Sequence, residues 1–459
     1  MKKDTVRFVC SECGREESKW LGRCPSCGSW NSFVEEKVIA SSSNKTQQAM
    51  PIIDKEIKSL SDVAVDEATR FDSGISELDR VLGGGIMRPS SVLVGGEPGI
   101  GKSTIMLQML SSSAVQGSVL YVSGEESPSQ VKLRAIRLGL DLKSINIFCD
   151  TRLEALLDVI EKISPAVVVI DSLQTLSTST VPSIAGSPNQ MRACCYALSM
   201  VAKTKNIAMF FIGHVTKEGV LAGPKIVEHL VDTVLYFEHA ETGVRFLRDV
   251  KNRFGSVDEI GIFRMDSDGL KAVKDPSEFF ISTKRGEELP AGIAYTAVVE
   301  GSRTFLVEIQ ALTVPAKSGL SRVYSDRIDV ARINRIAAIL ERHAGIRLSD
   351  QDIYINVAGG MKINEVSIEL AIALALYSAR NGKPLSSDLV SFGELSLAGE
   401  VRPVSFLEKR VKASNDLGFI NILSPTKLPD LKMSTCKNIK QAIMISSALK
   451  LAVTHDRAE

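Results

Sequence analysis

GEPGIGKST, residues 96–104, follows an apolar run SVLVG at 91–95 and opens a helix-like stretch over 103–116. It fits the pattern G-x-x-x-x-G-K-[ST]. Gly96, Gly99 and Gly101 let the backbone turn tightly and aim its N–H groups at one point, and the following helix adds the positive end of its dipole. Strand, loop and helix together form a nest for a polyphosphate. Gly96, Glu97, Pro98, Gly99, Ile100, Gly101, Lys102, Ser103 and Thr104 are therefore expected to hold ATP. Lys102 would reach the β- and γ-phosphates, and the Ser103 hydroxyl would hold Mg²⁺.

Working outward, Ser118–Ser123 (SVLYVS) reads as a second strand with Glu125 and Glu126 just past its carboxyl end. Strand ends of a parallel sheet face the ligand crevice, so a carboxylate there can orient and deprotonate a water. Glu125 is the expected catalytic group and Glu126 the alternative; an acid that merely complements the dipole of a helix opened by Pro128 is the plainer reading. Pro165–Asp171 (PAVVVID) is continuously apolar, as central parallel strands are, and ends in an acid. Asp171 at that place suits Mg²⁺ beside Ser103. The run 172–190, rich in hydroxyls, reads either as a mobile DNA-contacting loop or as plain surface. NIAMFFIG at 206–213 is a further strand leading to His214, expected beside the γ-phosphate as a sensor of hydrolysis; a packed neutral histidine is the alternative. RFLRDVKNRFG at 245–255 places Lys251 and Arg253 on one face if extended. That pair suits a phosphate, on a neighbouring subunit's nucleotide or on DNA, or else is a solvated strand edge.

The chain has 459 residues, enough for two or three domains, with 44% hydrophobic and 24% charged residues. Its formal net charge of +1 makes any nucleic-acid site a local patch rather than a global field. No apolar run approaches the roughly 18 residues of a membrane span, and MKKDTVRFVC lacks a signal-peptide core, so a cytoplasmic protein with no membrane contact is expected.

Four of the eight cysteines cluster near the start: Cys10-x₂-Cys13 and Cys24-x₂-Cys27, ten residues apart. Two such knuckles converge to four thiolates in a tetrahedron, which suits structural Zn²⁺, with rubredoxin-like iron the competitor. With four ligands there is no open position for catalysis. Trp20 and Trp30 flank the second pair and would cover the small core or stack on a partner. ASSSNKTQQA at 40–49 reads as a linker. The expected division is a zinc finger over 1–38, a linker over 39–58, an ATPase domain over 59–282 and an α/β domain over 283–459. In that last domain Val366–Ser378 reads as an interior helix carrying Ser367, where packing is the plainer role than nucleophile.

Taken together, the four-cysteine knuckle, GEPGIGKST, GEES at 124–127, VVVIDS at 167–172 and KNRFG at 251–255 resemble the bacterial RadA family, also called Sms, over essentially the whole chain. KNRFG is the most specific of these. The resemblance implies an α/β fold: a RecA-like P-loop ATPase core with an N-terminal zinc knuckle and a C-terminal Lon-protease-like domain. It implies a DNA-dependent ATPase of recombination and repair that assembles as a homo-hexamer on single-stranded and branched DNA, works with the RecA recombinase and drives branch migration. Glu125 then matches the catalytic glutamate, and Lys251, Asn252 and Arg253 couple ATP state to DNA. The family's Lon-like domain has lost peptidase activity. Aligning EVRPVSFLEK at 400–409 with the Lon segment puts Glu408 where the dyad lysine should stand, with Lys409 one residue away, so Ser367 is expected to lack a general base. A RecA-fold regulatory ATPase that binds protein partners and no DNA is the rival reading.

Overall fold

A computed structural model describes residues 5–10, 15–26, 28–38, 59, 61, 70–112, 114–213, 225–239, 243–257, 259–273, 280–281, 289–316, 321–325, 327–429, 431 and 433–456. Two compact units emerge: Met1–His239 with Arg245–Val273, and Ala240–Val244 with Lys274–Glu459. The expected linker at 39–58 and the expected boundary at 282/283 lie in or at the edge of stretches outside the described residues.

In the first unit, Thr5–Cys10 pairs antiparallel with Glu16–Glu17 on one side and Phe33–Val38 on the other. Its small core is Cys10, Cys24 and Phe33, with Phe8 packed against it.

The main sheet has nine strands. Six run parallel in the order Ile145–Phe148, Val119–Ser123, Val167–Asp171, Ala208–Ile212, Ser90–Gly95 and Thr233–His239. Val244–Asn252 then turns back antiparallel, and Ile260–Asp266 and Gly269–Ala272 finish the sheet. The four apolar strands at 90–95, 119–123, 167–171 and 208–212 are buried at every position. They need to be, because helices cover both faces. Residues of the helices Ser76–Val81, Lys102–Leu110 and Pro128–Arg137 join one core. Residues of Leu153–Ile163 and Pro188–Lys205 join the other. The helix after the phosphate loop ends at Leu110, six residues short of the sequence expectation. Serines follow, and the Ser112 hydroxyl accepts from Ala114 N at 3.2 Å, a local bond that competes with helix continuation.

In the second unit, a seven-stranded sheet runs Val323–Tyr324, Gln351–Val357, Arg303–Pro315, Ile293–Glu300, Leu389–Ser391, Asn421–Ser424 and Ser434–Thr435. The helix Glu369–Asn381 lies in its interior, buried from Glu369 through Leu376, as its unbroken apolar sequence predicts.

Candidate functional site

The four buried parallel strands bring their carboxyl ends to one edge of the sheet, where Lys102, Glu125 and Asp171 of the predicted nucleotide site meet. Gly101 sits at the N-cap of Lys102–Leu110 with φ of 120°, a value that requires glycine and sets the direction in which the helix leaves the loop. Lys102 is buried, its ammonium donating to Gly96 O at 2.7 Å and Glu97 O at 2.9 Å. Burial lowers its pKa to about 8, against the attraction of Asp171, Glu125 and Glu97, which raise it. Those three acids thus face the lysine from three different segments. Asp171 ends its strand, buried, and Gly124 N donates to Asp171 O at 2.8 Å, so the GEES turn is latched to the end of the Asp171 strand.

The two glutamates part company here. Glu125 accepts from the Ser172 hydroxyl at 2.6 Å, on the Asp171 side. Glu126 forms an ion pair with Arg134 of the following helix, which Ser127 opens with a capping box. His214 lies outside the described residues; the strand leading to it ends at Ile212, and Gly213 N donates to Val94 O at 3.0 Å. Within the 172–190 stretch, side chains hold parts of the loop backbone. The Gln190 amide donates to the carbonyls of Thr178, Val181 and Ser183, and Glu154 accepts from Thr178 and from Ser179 twice.

The KNRFG residues lie on the opposite edge. Asn252 pairs with Thr233, which pairs with Val92 near the start of the strand whose far end is the phosphate loop. Three further residues to Gly95 make about 10 Å at 3.3 Å each, before the loop itself begins. Lys251 donates to Glu228 O and Val231 O, both at 2.7 Å. Arg253 is exposed and lies 3.6 Å from Asp232, whose carboxylate also accepts from Ser91 N at 3.1 Å. Lys251 and Arg253 are close enough to depress the Lys251 pKa, with burial the larger cause. Asn252 is the buried hub between them: its amide donates to Val81 O at 3.3 Å and its oxygen accepts from Phe254 N at 2.9 Å. Phe254 O in turn accepts from Arg70 at 2.7 Å. Gly83 and Gly255 meet backbone to backbone, so a Cβ on either would fall 2.8 Å from the other's Cα.

At the chain start, Cys10 N donates to Arg15 O at 2.9 Å and Cys24 N to Ser29 O at 2.8 Å, the same turn twice. Cys10 and Cys24 are buried side by side in one small core. Cys13 and Cys27 lie outside the described residues. Paired knuckles with buried thiols fit a structural zinc ion.

Comparison with known proteins agrees with this geometry. Residues 71–147 match the KaiC ATPase family, and residues 8–35 match the rubredoxin metal-binding domain of zinc ribbons. The DNA repair protein RadA of Treponema pallidum is 49% identical, with 93% of each chain covered. Its namesake in Bacillus subtilis is 42% identical over 97% of this chain and 99% of its own, and that of Haemophilus influenzae 39% over the same shares.

The chain belongs to the RadA family.

Its fold is thus a RecA- and KaiC-like ATPase behind a zinc ribbon, followed by a Lon-like domain. In the RadA chain that last domain matches the ChlI subunit of Mg-chelatase over residues 326–427. The structure corrects the expectation for its dyad. Glu408 and Lys409 are exposed on the helix Leu407–Asp416, and the side chain that meets Ser367 is Arg410. Its guanidinium is fully buried, donates to Ser367 Oγ at 3.0 Å, to Ser405 O at 2.9 Å and to Ala297 O, and is ion-paired with Glu365. Burial lowers its pKa to about 10, still protonated at neutral pH. A guanidinium only donates, so it cannot take the serine's proton.

Proposed function

We propose that this RadA-family chain is a DNA-dependent ATPase that binds single-stranded and branched DNA, acts with the RecA recombinase and promotes branch migration as a homo-hexamer. It is divided as a zinc finger to 38, a linker to 58, an ATPase to 282 and a Lon-like domain without peptidase activity from 283. ATP sits on Gly96–Thr104, with Lys102 on the β- and γ-phosphates. Ser103 and Asp171 would hold Mg²⁺, which supplies charge neutralisation of the phosphates when bound. Glu125 orients and deprotonates the attacking water; its bond to Ser172, rather than to a helix arginine as at Glu126, supports that choice. His214 is assigned the sensor role.

One observation carries the reading: the KNRFG cations and the phosphate cradle occupy opposite edges of one sheet. Lys251 and Arg253 cannot stabilise charge on their own subunit's γ-phosphate, so their partner is a neighbouring subunit's nucleotide or DNA. Lys251 holding the Glu228 and Val231 carbonyls links that role to the segment following His214.

Mixing is the test. Lys102→Ala chains lack a cradle and Lys251→Ala chains lack a finger, and each alone should show at least 100-fold less turnover, on the scale of one lost charge-stabilising donor. Combined, they should regain a measurable fraction, because some interfaces join an intact cradle to an intact cation. No recovery in the mixture would show that the two groups do not act across subunits. In the same assay single-stranded DNA should stimulate the wild type, with affinity falling as salt rises. Turnover indifferent to DNA and no binding at low salt would instead favour a regulatory ATPase with protein partners.

A further inference from the structure

Tyr121 is the one polar side chain among the four interior residues Val119–Val122 of an otherwise aliphatic strand segment. It is fully buried, within the core that also holds Val169 and Ile105. A phenol in such a place needs a partner for its O–H. It finds Asp171: the Tyr121 hydroxyl donates to Asp171 Oδ2. The register explains the reach. Ser123 is directly opposite Asp171 and Tyr121 directly opposite Val169, so Tyr121 and Asp171 are diagonal neighbours on one face of adjacent parallel strands.

We propose that Tyr121 is a positioning residue of the nucleotide site, its hydroxyl pinning one oxygen of Asp171 so that the other is presented to the metal ion that accompanies the nucleotide. This rests on the ATPase reading of the cradle. A carboxylate at a strand end with neither oxygen fixed can rotate about its Cα–Cβ and Cβ–Cγ bonds; with one oxygen tied, the other has a single direction. Partners that orient a metal-binding carboxylate in this way contribute to metal affinity without touching the metal. Asp171 has backbone ties as well, through Gly124 N to its carbonyl, but those fix the main chain and leave the side chain to Tyr121.

The test uses the full-length chain and Tyr121→Phe, which fills the same space and removes only the hydroxyl. ADP binding is measured calorimetrically twice, with excess Mg²⁺ and with EDTA. The wild type should bind more tightly with Mg²⁺. In Tyr121→Phe the metal-free affinity should stay within about twofold while the Mg²⁺-dependent gain falls roughly tenfold, the scale for losing such a partner. Electron paramagnetic resonance of Mn²⁺ with ADP should show the same loss directly. A gain equal to wild type overturns the proposal, even if the variant melts earlier, because a purely structural tyrosine would lower stability and leave the metal increment alone. An affinity lost equally with and without metal overturns it too. If the wild type binds no ADP under either condition, the nucleotide-site reading itself falls, and that outcome is distinct from the other two.

Discussion

Lys102 carries a consequence of its own. Its ammonium is buried among its own loop carbonyls, and burial has brought its pKa to about 8. The sign follows from the depression: in the empty site the charge is present below about pH 8 and is lost as pH rises through it. A bound polyphosphate favours the charged form, so the complex keeps the proton to higher pH. Between pH 8 and 9, ADP binding should therefore take up a proton, and affinity should weaken as pH climbs. Binding enthalpies in buffers of different ionisation enthalpy would read the uptake, and Lys102→Arg, charged at every such pH, should abolish it. At this scale the sequence was most legible where a residue's role is set by its neighbours in the chain. The glycines, Lys102, Ser103 and Asp171 are spelled out by a loop and a strand end. Tyr121 and Arg410 were not, because each acts on a residue fifty or forty-three positions away. The signal for Tyr121 was present all the same, as a phenol flanked by aliphatic residues in a strand that must be buried on both faces.

Among elements, the helix Leu407–Asp416 shows how little separates one reading from another. An alignment that placed Glu408 opposite Ser367 was two positions off, and two positions on a helix turn a side chain by about 200°. The residue that points inward is Arg410, which bonds the carbonyls of Ala297 and Ser405, the Ser367 hydroxyl and the Glu365 carboxylate. Removing the buried guanidinium leaves the Ala297 carbonyl, the Ser367 hydroxyl and the half-buried Glu365 carboxylate without their donor. Arg410→Ala should thus cost about 3 kcal/mol or more of the second unit's stability in urea unfolding. Arg410→Lys, which keeps the charge but not the planar fork, should recover only part of that. A stability unchanged in both would mean that the arginine is held by the fold rather than holding it. Periodicity found the four central strands to within two residues, because apolar runs covered on both faces leave few alternatives, whereas the half-exposed edge strand Ile145–Phe148 gave no such run. It missed the ties of Gln190 and Glu154 across 178–183, since a side chain that satisfies a loop's backbone leaves no period in the sequence.

For the molecule, the metal knuckle and the phosphate loop could be read from their motifs, and the RecA-like core followed from the family resemblance that five motifs carry. What no motif announces is where KNRFG comes to rest relative to the cradle. Its position depends on one strand, Val244–Asn252, returning antiparallel beside Thr233–His239 and so ending at the start of the sheet instead of its finish. A donor on one edge and an acceptor on the other give every copy a front and a back. Copies joined front to back can never be self-complementary pairs, and an open row of n copies has n − 1 finished junctions, with one idle cradle left at its end. Turnover per subunit should accordingly climb with protein concentration as rows lengthen, reaching its full value only when the row bites its own tail. Mass photometry alongside the ATPase assay would read both quantities at once, and a constant specific rate from lone copies upward would refute the polarity.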